Sequence, residues 1–123
     1  MTSDSLSNMS VLSDLQKEIV DFRDLRDWKQ FHNPKDLAIS LVLESTEFLE
    51  HFQWKSNDEI ASHLDKNKSD ISDELADVFY WVLLIAHDMK IDLPEALKKK
   101  MEQNSKKYPV SKAKGKHIKY DKL

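Results

Sequence analysis

The chain contains no cysteine, a single glycine and three prolines in 123 residues. Without cysteine there are no disulfides and no thiolate metal sites, which fits a reducing cytoplasm. One glycine cannot supply a glycine-rich phosphate loop, nor the many tight turns of an all-β fold. No apolar run reaches the roughly 20 residues that a membrane helix needs, and Met1 to Ser10 is polar, with no apolar signal core. The expectation is a soluble, cytoplasmic, single-domain helical protein with no membrane partner.

Charge, by contrast, is plentiful and unevenly placed. Residues 1–97 carry 9 Lys/Arg against 20 Asp/Glu, while residues 98–123 carry 10 Lys against 2 acids, within an overall net charge of −3. The basic segment has no nucleic-acid reading motif, so nucleic acid is an unlikely partner. It reads either as a solvated tail or as a neutraliser of polyphosphate.

Apolar spacing predicts a helix over about 11–26, through Val11, Leu12, Leu15, Ile19, Phe22 and Leu25. Asn33-Pro34 reads as an N-cap followed by a first-turn proline, opening a helix that can run to Trp54. Ser56-Asn57-Asp58-Glu59 has the pattern of a capping box and opens a short helix to Leu64. A further helix is expected over about 70–89, and Asp92-Leu93-Pro94-Glu95 begins a last one reaching Lys107, before Tyr108-Pro109. The predicted fold is all-α, a four-helix-bundle-like subunit. Its expected organisation is a flexible segment at 1–10, a helical catalytic domain at 11–109, and a Lys-rich, extended or disordered tail at 110–123. Residues 37–54 are apolar almost all round the helix, more than one small domain can bury, so an oligomer is expected.

Two acidic pairs interrupt the most apolar stretches: Glu44 with Glu47, and Glu74 with Asp77. Spacing of i,i+3 sets both carboxylates of a pair on one helix face. A single such pair is usually a solvated face. Two pairs, each within an apolar stripe, are expensive to bury without a compensating cation. Antiparallel packing of the two helices would bring the pairs face to face. A di-iron bundle would need Glu-x-x-His on two helices, and no such motif occurs. Oxygen ligands alone point to Mg²⁺, with Mn²⁺ as the alternative, and these ions usually act on phosphates.

The pattern Glu44-Ser45-Thr46-Glu47, a spacer, then Glu74-Leu75-Ala76-Asp77 resembles the signature of the MazG-like nucleoside triphosphate pyrophosphohydrolases, in the all-α NTP pyrophosphatase superfamily. Arg26-Asp27-Trp28-Lys29-Gln30-Phe31-His32, Glu50-His51-Phe52-Gln53-Trp54-Lys55 and Lys100-Met101-Glu102-Gln103-Asn104-Ser105-Lys106-Lys107-Tyr108-Pro109 are similar to segments of its dCTP pyrophosphatase branch. The resemblance covers roughly residues 12–110. One departure concerns packing: many members have glycines flanking the first acid, where this chain has Leu43 and Thr46. The resemblance implies Mg²⁺-dependent cleavage of a nucleoside triphosphate, with dCTP or a related nucleotide as first candidate, to monophosphate and pyrophosphate. It also implies a tetramer made of two dimers.

On this reading Glu44, Glu47, Glu74 and Asp77 are the metal-binding and catalytic acids, with Glu47 the candidate acceptor of the attacking water's proton. Lys100, Asn104 and Tyr108 share a face of the last helix at i,i+4 spacing, and the matching family positions contact the nucleotide. Trp28, His32 and Trp54 are candidates for a base pocket, with aromatic core packing as the alternative for the tryptophans and loop anchoring for His32. Trp81 and Phe22 are assigned to the core. Competing readings are a phosphoribosyl-ATP pyrophosphatase and a non-catalytic helical oligomer whose acids pair with lysines of 98–107. The Trp-containing segments favour the dCTP branch over the first.

Overall fold

The computed structural model describes the backbone of residues 3–123 and side chains from residue 11 onward. Its helices are α1 (Ser3–Leu25), α2 (Pro34–Glu50), α3 (Asn57–Lys66), α4 (Lys68–Asp88), α5 (Leu93–Lys107) and the short α6 (Val110–Ala113), with 3₁₀ turns at Lys29–Phe31 and Tyr120–Lys122. No strand occurs among the described residues. The expected flexible segment at 1–10 falls largely outside the described side chains.

Three helix starts follow their sequence signals. Asn33 Oδ1 accepts from the Asp36 amide at 2.9 Å, ahead of Pro34 at the first helical position. Ser56 and Glu59 close a reciprocal capping box. Asp92 Oδ1 accepts from the Glu95 amide. Each such cap is worth about 1 kcal/mol.

The α1 terminus is a Schellman turn built without glycine. The Trp28 amide reaches the Arg23 carbonyl at 3.2 Å, and the Asp27 amide reaches that of Asp24 at 3.1 Å. Asp27 takes the left-handed conformation, at φ 56°. Trp28 then meets Phe22 edge to face, with centroids 5.7 Å apart, the apolar contact that accompanies this motif. Phe22 is therefore a surface residue, 42% exposed and covered by the Arg26 guanidinium 3.7 Å from its centroid. Its expected core position is corrected.

The chain divides into two compact units, residues 1–90 and 91–123. In the first, α4 packs against α2, α1 and α3. Val20 of α1, Leu37 of α2 and Leu84 of α4 form the core, with Ile19, Tyr80, Trp81 and Ile85 packed around them. Burying a side chain such as Leu37 or Leu84 contributes roughly 1.5–3 kcal/mol. Gln16 ties α1 to α4 by donating to the Leu83 carbonyl at 2.9 Å. In the second unit, Tyr108 meets Tyr120 edge to face at 6.0 Å, and Lys107 Nζ lies 4.7 Å from the Tyr120 centroid. These contacts fold the end of the chain back on α5, so 110–123 forms α6 and a 3₁₀ turn where extended or disordered chain was expected.

Candidate metal centre

Helix α2 breaks at Glu50, four residues short of the expected end, and Trp54 lies in the turn that follows. Up to that point the register against α4 is continuous. Seven residues, about two turns, beyond the Leu37–Leu84 contact on each helix lie Glu44 and Asp77. The helices are thus antiparallel, and the acidic pairs meet.

Glu44, Glu74 and Asp77 each offer a carboxylate oxygen, and these oxygens all lie within 4.8 Å of one another. Glu44 and Glu74 are half-buried, whereas Asp77 is exposed. Glu47 stands outside this trio, exposed, yet within reach to share a proton with Glu44 or with Glu74. Burial is the first cause that raises the Glu44 carboxyl above the usual range, followed by the hydrogen bond and charge of Glu47 and then by Asp77 and Glu74. Glu74 is raised in the same way, by burial first and then by Glu47 and Asp77, with His51 acting in the opposite sense. Glu44 Oε2 and Glu74 Oε2 are buried without any hydrogen-bond partner. None of the four acids takes part in an ion pair among the described residues. Mutually repelling carboxylates with buried, unpartnered oxygens and no cationic partner are the donor set that a hard divalent cation fits.

The two family glycine positions leave this arrangement undisturbed. Leu43 is 58% exposed, and Thr46 Oγ1 donates to the Leu43 carbonyl at 2.6 Å.

Among the expected base-pocket residues, Trp54 is 88% exposed and Trp28 is 43% exposed, so neither is core. His32 is half-buried and lies edge-on to Trp81, with centroids 5.7 Å apart. Burial holds its imidazole below the ordinary histidine range; the charge of Arg23 adds to this, and Asp88 partly offsets it. Trp81 packs on the Val20–Leu37–Leu84 cluster, as expected. Within the second unit, Lys100 and Tyr108 are exposed, while Asn104 is half-buried with Nδ2 3.8 Å from Met101 Sδ.

Several other residues of the first unit carried no signal by themselves in the sequence. Arg23 is fully buried: Nη1 donates to Asp88 Oδ2 and Nε to Asp24 Oδ1, while Nη2 has no partner. Burial opposes its charge, but the two carboxylates outweigh that and raise its pKa. His63, on α3, reaches His51, and Asn67, just after α3, reaches His63. An arginine on the stripe that also carries Ile19 and Val20 was the one available clue to the first group.

Comparison with known proteins identifies the family. The MazG-like family profile matches residues 39–123. The chain belongs to the MazG-like family. It is 34% identical to dCTP pyrophosphatase 1 of Bos taurus over 121 residues, spanning 97% of this chain and 72% of that protein. Against dCTP pyrophosphatase 1 of Mus musculus it is 37% identical over 114 residues, or 91% and 67% of the two chains. A crystal structure of a pyrophosphatase from Archaeoglobus fulgidus superposes with a TM-score of 0.76 at 41% identity, covering 79% of this chain and 91% of the other. This member of the MazG-like family is a nucleoside triphosphate pyrophosphohydrolase.

Proposed function

We propose that this enzyme hydrolyses dCTP or a closely related deoxynucleoside triphosphate to the monophosphate and pyrophosphate, in a Mg²⁺-dependent reaction. The observation that carries the reading is the meeting of Glu44, Glu74 and Asp77 oxygens within 4.8 Å, with two buried oxygens left unpartnered. Glu44, Glu74 and Asp77 would hold the ion, with Glu47 beside them. When bound, Mg²⁺ supplies charge neutralisation for the triphosphate and Lewis acidity at its oxygens; Mn²⁺ offers the same chemistry.

The chain's own residues do the rest. Water adds to the α-phosphorus, the bond to the oxygen bridging the α and β phosphates breaks, and pyrophosphate leaves. Glu47 is exposed beside Glu44 and Glu74 and is the carboxylate placed to accept the water's proton. The exposed rings of Trp54 and Trp28 stack on the base, and His32, kept neutral, hydrogen-bonds to the nucleotide. Lys100, Asn104 and Tyr108 contact phosphate and sugar, a role supported by their spacing along α5 and by the resemblance.

A second copy of the chain completes the fold. Val42, Leu43, Leu49, Leu75 and Phe79 are all more than two-fifths exposed. A shallow apolar groove on α4 is lined by Leu75, Ala76, Val78, Phe79 and Val82. Apolar surface of this extent on two neighbouring helices supports an interface. We place these faces against other subunits, in a tetramer made of two dimers. No helix of the described residues is long and apolar enough to cross a membrane; the absence of cysteine supports a cytoplasmic location.

The test is a panel of nucleoside triphosphates with Mg²⁺, scored for pyrophosphate against phosphate release. Pyrophosphate from dCTP ahead of the other nucleotides supports the reading. Turnover confined to phosphoribosyl-ATP, or release of phosphate alone, would contradict it.

A further inference from the structure

Helix α2 ends in a histidine that is wired to two polar residues no part of the proposed chemistry uses. His51, the C-cap of α2, places Nδ1 2.8 Å from Nε2 of His63 on α3. The other ring nitrogen of His63, Nδ1, lies 3.0 Å from Asn67 Nδ2. That same amide nitrogen donates to the His63 carbonyl at 3.2 Å.

The direction of every proton in this chain follows from the carbonyl at its end. A carbonyl only accepts, so the atom of Asn67 facing it is the amide nitrogen, and its second hydrogen points to His63 Nδ1. His63 Nδ1 must then be a lone pair, and its proton sits on Nε2. That proton is donated to His51 Nδ1, which must also be a lone pair. The His51 proton is left on Nε2, an atom with no protein partner among the described residues. Charging either ring would set two donors against each other. Burial and the positive charge of Lys55 hold His63 below the ordinary histidine range, followed by His51, with Asp70 opposing.

His51 stands at the rim of the acidic centre. It lies one turn beyond Glu47 on the same helix, within electrostatic reach of Glu74. We propose that Asn67 and His63 are positioning residues that lock His51 as an Nε2–H donor beside the acidic centre, where it hydrogen-bonds an anionic oxygen of the substrate's phosphate chain. The acids attract cations and repel phosphate, so a fixed neutral donor at their edge gives a phosphate oxygen a partner without adding a charge that competes for the carboxylates. The role in catalysis rests on the pyrophosphohydrolase reading; the tautomer does not.

The test has two arms. Imidazole ¹⁵N correlation spectra of the full chain should show an unprotonated Nδ1 and a protonated Nε2 for His51, and the same for His63. The His63→Ala variant should give a tautomer mixture at His51, and His63→Gln, whose amide reaches the Nε2 position, should restore the single form. In kinetics, His51→Leu should lower kcat/KM by roughly tenfold or more, the scale of one hydrogen bond to a charged group, and His51→Gln should recover most of the loss. A protonated His51 Nδ1 overturns the proposal, as does unchanged kcat/KM in His51→Leu while the parent chain is active. A parent chain that releases no pyrophosphate overturns the functional reading and the phosphate role together, while the tautomer is still decided by the spectra.

Discussion

Arg23 Nη1 donates to Asp88 Oδ2 across 2.6 Å and fastens the end of α1 to the end of α4, with the arginine fully shielded from solvent. The pair sits at the far end of α4 from Glu74 and anchors the helix that carries two of the four acids. Removing one partner of a buried ion pair is costly, because the other is left uncompensated. Asp88→Ala should lower unfolding free energy by about 3 kcal/mol, whereas Arg23→Met, which leaves unpaired only the carboxylates of Asp88 and Asp24 that still reach solvent, should cost clearly less. Urea denaturation of the two variants checks the order. Equal losses would show that the contact acts through packing alone.

The acidic centre should make stability depend on pH in a way that metal reverses. Glu44 and Glu74 hold protons more tightly folded than unfolded. Their contribution is therefore fully present below the ordinary carboxylate range and is lost as pH rises through their raised values. In metal-free buffer, Glu44→Gln should melt above the parent at pH 8, with the gap closing on acidification. Mg²⁺ should raise the parent and leave the variant little changed. Melting curves at several pH values, with chelator or Mg²⁺, decide this; a gap that widens on acidification would contradict it.

Trp54 is the most solvent-exposed aromatic ring described here, at 88%. A residue so placed contributes little to folding, so Trp54→Ala should leave the melting temperature within about 1 °C, as surface substitutions do. Loss of a stacked base should instead raise KM for the nucleotide by roughly tenfold, from a stacking energy of about 1–3 kcal/mol. Steady-state kinetics beside a melting curve separates the two effects.

Lys90 ends α4 in the left-handed conformation, at φ 57°, which costs a residue with a side chain about 1–2 kcal/mol. Lys90→Gly should relieve this and raise the melting temperature by a few degrees without altering turnover. A lower melting temperature would mean that the lysine side chain makes a stabilising contact of its own.

Much of this architecture was legible in the sequence because it depends on local chemistry. Asn33-Pro34, Ser56 to Glu59 and Asp92 to Glu95 marked three helix starts through side chains that cap amides within one turn. The acids were legible because carboxylates inside Val42-Leu43 and Leu75-Ala76-Val78 stretches conflict with the burial pattern around them. What could not be read depended on contacts distant in the chain. Nothing near Arg23 announces Asp88, 65 residues later. His51 and His63 are 12 residues apart on different helices. The premature end of α2 is a tertiary effect as well: its apolar spacing continues to Trp54, but the chain turns at His51 to reach α3. Phe22 was misplaced because helical periodicity does not distinguish a core face from one covered by an arginine.

The central claim is that Glu44, Glu74 and Asp77 form one divalent-cation site. Isothermal titration of Mg²⁺ into the parent chain and into Glu74→Gln, each with a non-hydrolysable dCTP analogue present, tests it most directly. The account predicts saturable uptake by the parent and its loss in the variant, with both proteins folded. Equal uptake by the two, or none by the parent, would contradict it.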